Sequence, residues 1–580
     1  MPTRPPSPGP SPIPFPLSSF PGANPQEGAG RIINGYSEPL GEAQQPTGPA
    51  PQVWRRSPGL SLHATTAETA TYRGGLIVNN SSFEIWSNVY AVTAGGMVTQ
   101  LGALPGTKKV SIARNQNGAG PDVVVVDPDN GAYLVQVAGT PQAPALYNGG
   151  SNLPQPNSVS FQDGYFFYTI AAGQIYASPL NSVGAISPLT FVTAQAKSDV
   201  ILLRGIPFNG LMWFFTTGHC EIWQDVAGVA PNFPYARLAV IEYGLVQQSA
   251  IAGFETGFSE LLWVAQDFGV YWATPGTVKP TKVSPPDLDR LIEAQIRAGN
   301  IIEASCYAFA GKKFWCLSSP AWSWEFNLAS LKWNERWSLQ PTGLFGRWRA
   351  TGGHPAFGKW LMGDEQSGNL LWIDSANYTE NGAVQLFRME SGPVRDFPNQ
   401  IRIARADFDF DMGVGQAVGQ VTTTVLGTGV GAGGAVRLQV MSSARMQTND
   451  TLVVTGITGT AEANGTFLAT IIDANHIDLQ GSTFVNAYVS GGTVVDVTSP
   501  ANAVNPSVAI TLSRDGGLSF GNPLIRSLGA QSRALRQRAS VKSMGLSGPM
   551  GCRWRIDVSD PVYCGFLGAT QSSDPREIGT

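Results

Sequence analysis

Two carboxyl groups set across a sugar from one another can cleave a glycosidic bond, one as acid and the other as base or nucleophile. This chain of 580 residues offers three local groupings of acids: Asp364 with Glu365, Glu221 with Asp225, and Asp407 with Asp409 and Asp411. The last three alternate with Phe408 and Phe410, the pattern of a strand with one solvated face. The others lie in turn-like sequence, and none of the groupings forms a catalytic pair by spacing. The histidines His63, His219, His354 and His476 are scattered, so neither a zinc site nor a Ser-His-Asp arrangement can be assembled from them. The cysteines Cys220, Cys306, Cys316, Cys552 and Cys564 are far apart and lack a CxxC pair, which suits reduced, buried apolar residues. There is no GxxxxGK[ST] loop to cradle a nucleotide triphosphate. No catalytic, metal-binding or cofactor-binding residue is assigned, and no cofactor is expected.

Two other patterns do stand out. Ser513-Arg514-Asp515-Gly516-Gly517-Leu518-Ser519-Phe520 places an Asp-Gly turn between alternating strands. Asp515 is expected to accept N–H groups inside that turn, with Ser513, Gly517 and Phe520 as its other structural residues. The stretch fits the S-x-D-x-G-x-[ST]-[WF] box of sialidase-like propellers. Sialidases carry several such boxes with an arginine cluster and a nucleophilic Tyr, whereas one box is found here. The second pattern is a basic run of Arg514, Arg526, Arg533, Arg536, Arg538, Lys542, Arg553 and Arg555, within which Asp515 is the one acid. Such a stripe suits DNA phosphates, an acidic neighbouring subunit or plain solvent, and Arg526, Arg533, Arg536, Arg538, Arg553 and Arg555 are taken as subunit-interface candidates.

The elements that must position these residues are strands. From about Ser82 to Asp374 one unit recurs seven times: an apolar strand, a tight turn, then a second apolar or aromatic strand. Examples are DVVVVDPDNGAYLV and FSELLWVAQDFGVYWAT. The punctuating residues Gly96, Gly131, Gly173, Gly218, Gly269, Trp324 and Gly368 recur at intervals of 35 to 55 residues, close to one blade of a β-propeller. Charged residues make up 13% of the chain, with 67 Gly and 42 Pro, a composition for many short strands joined by turns. The low charge, with 15 Trp and 27 Phe, also suits a surface partly covered by neighbouring subunits. A net charge of −4 provides no global basic field to recruit nucleic acid. No run approaches the ~18 apolar residues of a membrane span, and the N-terminal stretch has no apolar core of a secretory signal, so synthesis in the cytoplasm is expected. One helix is expected over residues 285–296, capped by Ser284.

The reading is all-β: a degenerate propeller of six or seven blades plus a β-sandwich-like C-terminal domain that a small β-domain interrupts. The expected divisions are an extended, Pro-rich arm at 1–55, the propeller at 56–380, the C-terminal domain at 381–417 and 501–580, and the inserted domain at 418–500. The insert is expected to leave and re-enter at neighbouring strands of one hairpin.

Taken in order, these pieces resemble the tail hub, or nozzle, proteins of short-tailed bacteriophages, also called packaged-DNA stabilisation proteins. The family's "vNlY.E" signature corresponds to Ile33-Asn34-Gly35-Tyr36-Ser37-Glu38, departing at Gly35. Its "SrDGG..fg" turn corresponds to Ser513 to Gly521, its "R....lG" strand to Arg538 to Gly545, and its "ritDPv...ligA" ending to Arg555 to Ala569. The insert resembles a small β-barrel-like module common in phage structural proteins. The resemblance implies a non-enzymatic virion tail protein, assembled in the cytoplasm of a bacterial host. It implies a homo-hexameric ring beneath the portal and adaptor, near tail fibres or needle and plug proteins, in transient nonspecific contact with packaged double-stranded DNA. Such a ring would close the DNA channel and take part in ejection, with residues 21–39 tying subunits together. The competing expectation, from the Asp box, is a tail-associated glycan-binding or glycan-cleaving propeller.

Overall fold

A computed structural model describes residues 10–39, 52–194, 201–228, 232–396, 398–411, 421–443, 446–497, 506–529 and 536–573. The chain divides into two units, one of His63–Leu328 with Arg347–Ile373 and one of Met1–Leu62, Ala329–Gly346 and Asp374–Thr580.

The first unit is a propeller. Its four-stranded antiparallel sheets span 74–103, 111–147, 158–193, 202–241 and 251–282, each ordered as the chain runs. A sixth blade begins with Glu303–Phe309, Lys312–Ser318 and Ser323–Asn327, and a seventh with Ala350–Ala356, Lys359–Asp364 and Asn369–Asp374. The seventh is completed by chain that precedes the first blade: the strand Gly59–Thr65 lies beside Asn369–Asp374, and the Thr66 N–H donates to Gly368 O at 3.0 Å. The second strands, such as Val123–Asp127 and Leu211–Thr216, are almost wholly buried, because blades stacked on both faces remove the alternation of a half-solvated sheet. The fourth strands are more exposed, as in Thr140–Tyr147.

The turns follow their backbone requirements. Asp163-Gly164, Asn209-Gly210, Ala310-Gly311 and Phe357-Gly358 each join the first and second strands of a blade with both residues at positive φ, the two-residue hairpin that matches strand twist. Most of the glycines singled out in sequence lie one turn later, at the second-to-third connection. Gly96 is the exception and sits between third and fourth strands. In the first blade the second-to-third turn has no glycine; the Glu68 carboxylate holds it instead, accepting from Asn88 N (3.0 Å), Asn88 Nδ2 (2.7 Å) and Tyr90 OH (3.0 Å). The helix is Pro286–Arg297, and its N-cap is Pro285. Ser284 does not cap it, because its hydroxyl donates to Asp289 Oδ1.

The second unit contains two stacked sheets. One is ordered Gly35–Pro39, Gln52–Arg56, Gly565–Ser572, Arg402–Asp411, Arg536–Leu546; the other contains Lys332–Glu335, Arg31–Ile33, Phe387–Glu390, Arg553–Val558, Ser507–Ser513 and Leu524–Ser527 in that order. Phe408, Phe410, Val541 and Phe566 from the first sheet share a core with Ile32, Met389, Ile510, Trp554 and Ile556 from the second, the architecture of a sandwich. The alternation over 402–411 is as the sequence predicts, with Asp407 and Asp409 on the other face. Strands Arg31–Ile33 and Gly35–Pro39, in the stretch expected to tie subunits together, are built into their own chain's sheets, and Ile32 and Ile33 are fully buried.

The inserted module is a closed six-stranded barrel running from Val421–Val430 to Thr493–Asp496, with its own core of Val425, Leu438, Leu452, Ile477 and Val494. It does not interrupt a hairpin, which corrects the expectation above. Arg402–Asp411 before it and Ser507–Ser513 after it belong to different sheets of the sandwich. Strict alternation identifies a half-buried strand but carries no information about which sheet receives the next one.

Candidate functional site: the propeller centre and the basic stripe

All seven first strands of the propeller line one central cavity of about 320 Å³. Short residues bring the strands together there: Gly74, Gly75, Gly205, Gly352 and Gly353 all line it. A Cβ at Gly353 would stand 2.0 Å from Cys306 O, so the sixth and seventh blades approach through a bare backbone at that position.

Charged side chains lie at and behind this wall, Lys109, Arg204 and Glu255 among those that line it. Glu303 accepts from Arg347 Nη2 at 2.6 Å and lies 3.4 Å from Lys109 Nζ. Burial opposes its ionisation, yet Lys109 and Arg347 hold it below the usual carboxylate range. Glu255 behaves in the opposite way, because burial pushes its carboxyl up even though Gly253 N–H donates to it at 2.6 Å and the Cys306 thiol lies 3.2 Å away. Arg204 donates through Nη1 to Gln248 O at 3.1 Å, and its guanidinium stands 5.1 Å from the Phe254 ring centre. Burial lowers its pKa to about 10, which leaves it cationic at neutral pH.

His354 comes from the seventh blade, and Ser82 and Glu84 come from the first, with nothing in their spacing to join them. Ser82 Oγ is 2.9 Å from His354 Nε2, and Glu84 Oε1 is 3.2 Å from that same nitrogen. A catalytic triad uses the two ring nitrogens separately, one for the nucleophile and one for the acid. Here both partners meet Nε2, and Tyr72 OH donates to Glu84 Oε2 at 2.7 Å, so the cluster is a buried hydrogen-bond network. The acid groupings considered for glycan cleavage are also engaged. Asp364 is bound by Arg349 (3.0 and 2.5 Å), and buried Glu221 accepts from Trp223 Nε1 at 3.0 Å. His63 and His219 are buried, and His476 is held by Asp473 at 2.9 Å. All five cysteines are buried and outside any disulfide. Among the described residues no group of three or more His, Cys, Asp or Glu is arranged to hold a metal ion, and no helix is long and apolar enough to cross a membrane.

In the other unit, the turn at 513–520 forms as a closed set of hydrogen bonds. Ser513 Oγ donates to Asp515 Oδ1 (2.7 Å), Gly517 N–H to Ser513 Oγ (2.7 Å) and Ser519 N–H to Asp515 Oδ1 (3.0 Å). Burial alone would raise the Asp515 carboxyl, but these bonds hold it far below the usual range. Phe520 lies under the Arg555 guanidinium, 3.6 Å from ring centre to carbon.

The basic run does not form one uniform face. Arg553 is 4% exposed, and its guanidinium donates to Ser391 O, Pro25 O and Gly28 O. Arg555 binds Glu390 at 2.9 Å, and Arg538 binds Asp409 at 2.7 Å across neighbouring strands. Arg526 donates to Ser540 O at 2.9 Å and Arg514 to Met544 O at 2.6 Å. Arg536 opens the strand Arg536–Leu546 opposite Asp411, and Arg533 lies outside the described residues.

A family model described as "Bacteriophage P22 Gp10, beta-propeller" matches residues 39–378, more than half of the chain. The chain belongs to this phage-stabilisation family. It is thereby a phage structural protein, of a family that stabilises packaged DNA, and the seven-bladed unit is its propeller. No curated protein matches the chain. Solved propellers align at low similarity. YCF48 from Cyanidioschyzon merolae has 9% identity and a TM-score of 0.35, covering 55% of this chain and 99% of that one. The WD40 β-propeller domain of Doa1 has 10% identity and a TM-score of 0.34, covering 54% and 96%. Likenesses at this level carry no argument about function.

Proposed function

We propose that this member of the phage-stabilisation family forms a six-membered ring in the tail, below the portal and adaptor, and closes the DNA channel until ejection. The observation that carries the reading is the family match across the propeller. Physical features support it. A homomeric ring needs a rigid wedge with two different faces, which a stacked propeller supplies. The net charge of −4 suits a passage that must release a genome, because a lumen lined with Lys and Arg would hold duplex electrostatically. Retention then falls to a narrow ring of propeller-edge loops. Arg526 and Arg538, two of the members of the basic run with partly exposed side chains, face a neighbouring subunit or the adaptor. The turn at Ser513, Asp515, Gly517 and Phe520 is structural, and residues 421–497 form a decoration on the outside of the tail.

The test is imaging of purified tails together with the native mass of the isolated chain. Six copies closing a ring below the adaptor are expected. A different copy number at that position, or release of reducing sugar from bacterial surface polysaccharide by the purified chain, overturns the reading.

A further inference from the structure

The central cavity contains more polar groups than the protein itself satisfies. Three side-chain atoms from three blades lack a hydrogen-bond partner there: Ser160 Oγ, Arg204 Nε and His354 Nδ1. Ser160 and His354 are each 5% exposed, so bulk water does not serve them. A buried polar group left unmet is costly, and three around one cavity of about 320 Å³ imply an occupant with polar atoms of its own.

The chemistry of the wall selects its sign. Arg204 brings a positive charge and a free N–H, with Phe254 behind it. The carboxylate in its field, Glu255, accepts through one oxygen, Oε2, from both Gly253 N–H and the Cys306 thiol, and burial disfavours its charge. Lys109 and Arg347 are already matched to Glu303, and Arg73 to Asp127. Arg114, which also lines the cavity, is exposed to solvent, so Arg204 is the less exposed cation left weakly compensated. Ser160 stands beside it: a Cβ placed on Gly205, the residue after Arg204, would be 3.3 Å from Ser160 Oγ. Glycine at 205 keeps the wall open at that point. His354 already engages Ser82 and Glu84 through Nε2, so with the proton on that nitrogen Nδ1 presents a lone pair. Two donors and one acceptor match hydrogen phosphate, whose oxygens accept and whose hydroxyl donates.

We propose that the propeller centre is a binding site for a small tetrahedral oxyanion, hydrogen phosphate, held by the Arg204 guanidinium and the Ser160 hydroxyl with His354 on the far wall. The bound ion joins the third, fourth and seventh blades through one ligand, so it stabilises the ring in proportion to its concentration.

The experiment is calorimetric titration of the full chain with inorganic phosphate at constant ionic strength, with chloride as the blank, at pH 7.5. Saturable one-site binding is expected. Arg204→Gln should weaken it at least about tenfold, equivalent to about 1.4 kcal/mol, and abolish the phosphate-dependent rise in the thermal midpoint. Arg204→Lys should retain part of the affinity. Absence of saturable binding, or equal affinity in the wild type and Arg204→Gln, overturns the proposal. Where Arg204→Gln does not fold, Ser160→Ala is titrated instead: a loss of several-fold supports the site, and unchanged affinity overturns it.

Discussion

Replacing Asp127 by Asn should be among the most damaging single-atom changes in the propeller. Arg73 and Asp127 are 2% and 0% exposed, and Nη2 meets Oδ2 at 2.7 Å. The other carboxylate oxygen accepts from Asp129 N–H, Asn130 N–H and Asn130 Nδ2, and an amide oxygen can keep those bonds. Asparagine therefore changes little but the charge and turns an amide donor toward the guanidinium. Breaking a buried pair by neutralising one partner costs about 3–5 kcal/mol, and the retained bonds place this change near 3 kcal/mol. Arg73→Met should cost at least as much, because Arg73 also donates to the carbonyls of Trp86, Leu104, Pro105 and Lys108. The double variant should fall short of the summed losses by roughly 1–3 kcal/mol. Native-state hydrogen exchange at Val124 to Val126 reads this locally, and about 3 kcal/mol corresponds to roughly two decades in exchange rate. A change within about 0.5 kcal/mol of the wild type for Asp127→Asn, the level of a neutral surface substitution, would refute the reasoning.

Excision of the barrel is expected to leave the sandwich folded. Val421 pairs with Asp496, so the cut ends are neighbours, and joining residue 420 to residue 498 retains the flanking chain needed to pass from one sheet to the other. Loss of soluble protein on that excision would show that the barrel is part of the sandwich fold. Within the barrel, N–H groups of Asn486 and Val485 donate to Glu462 and hold its carboxyl down to about 2, below its ordinary 4.5. Its contribution is present in full above pH 4.5 and is lost as pH falls toward 2, so Glu462→Gln should flatten the acid limb of the barrel's stability profile; an unchanged limb counts against this.

The repeat was legible because a blade is a local object. Its strands and turns lie within some fifty residues, and runs such as VVVV or FFY state that both faces are covered. The more regular signal was the two-residue turn with glycine second, at Asp163-Gly164, Asn209-Gly210, Ala310-Gly311 and Phe357-Gly358, which marks the first-to-second connection and would have placed four blades in register. The phase slip at Gly96 arose because Glu68, twenty residues upstream of Asn88, does the work that glycine does in other blades. The centre was illegible. Ser160, Arg204 and His354 lie on three blades far apart in sequence, and His354 read alone is one of four scattered histidines. The basic run was legible only in part for a related reason: composition counts charges, but only the fold shows that Arg553 points into its own chain while Arg538 reaches across to Asp409.

The strand that completes the seventh blade is made first and used last. Thr66 cannot meet Gly368 until about 300 further residues have left the ribosome, which at roughly 5–20 residues per second means about 15–60 s of synthesis. During that interval the nascent propeller is an open spiral with an unpaired strand edge at its growing end, at the concentration of every ribosome on the same message. Ring closure is thus a clocked step of translation, and slow decoding between the sixth and seventh blades lengthens the period in which two nascent chains can exchange closing strands.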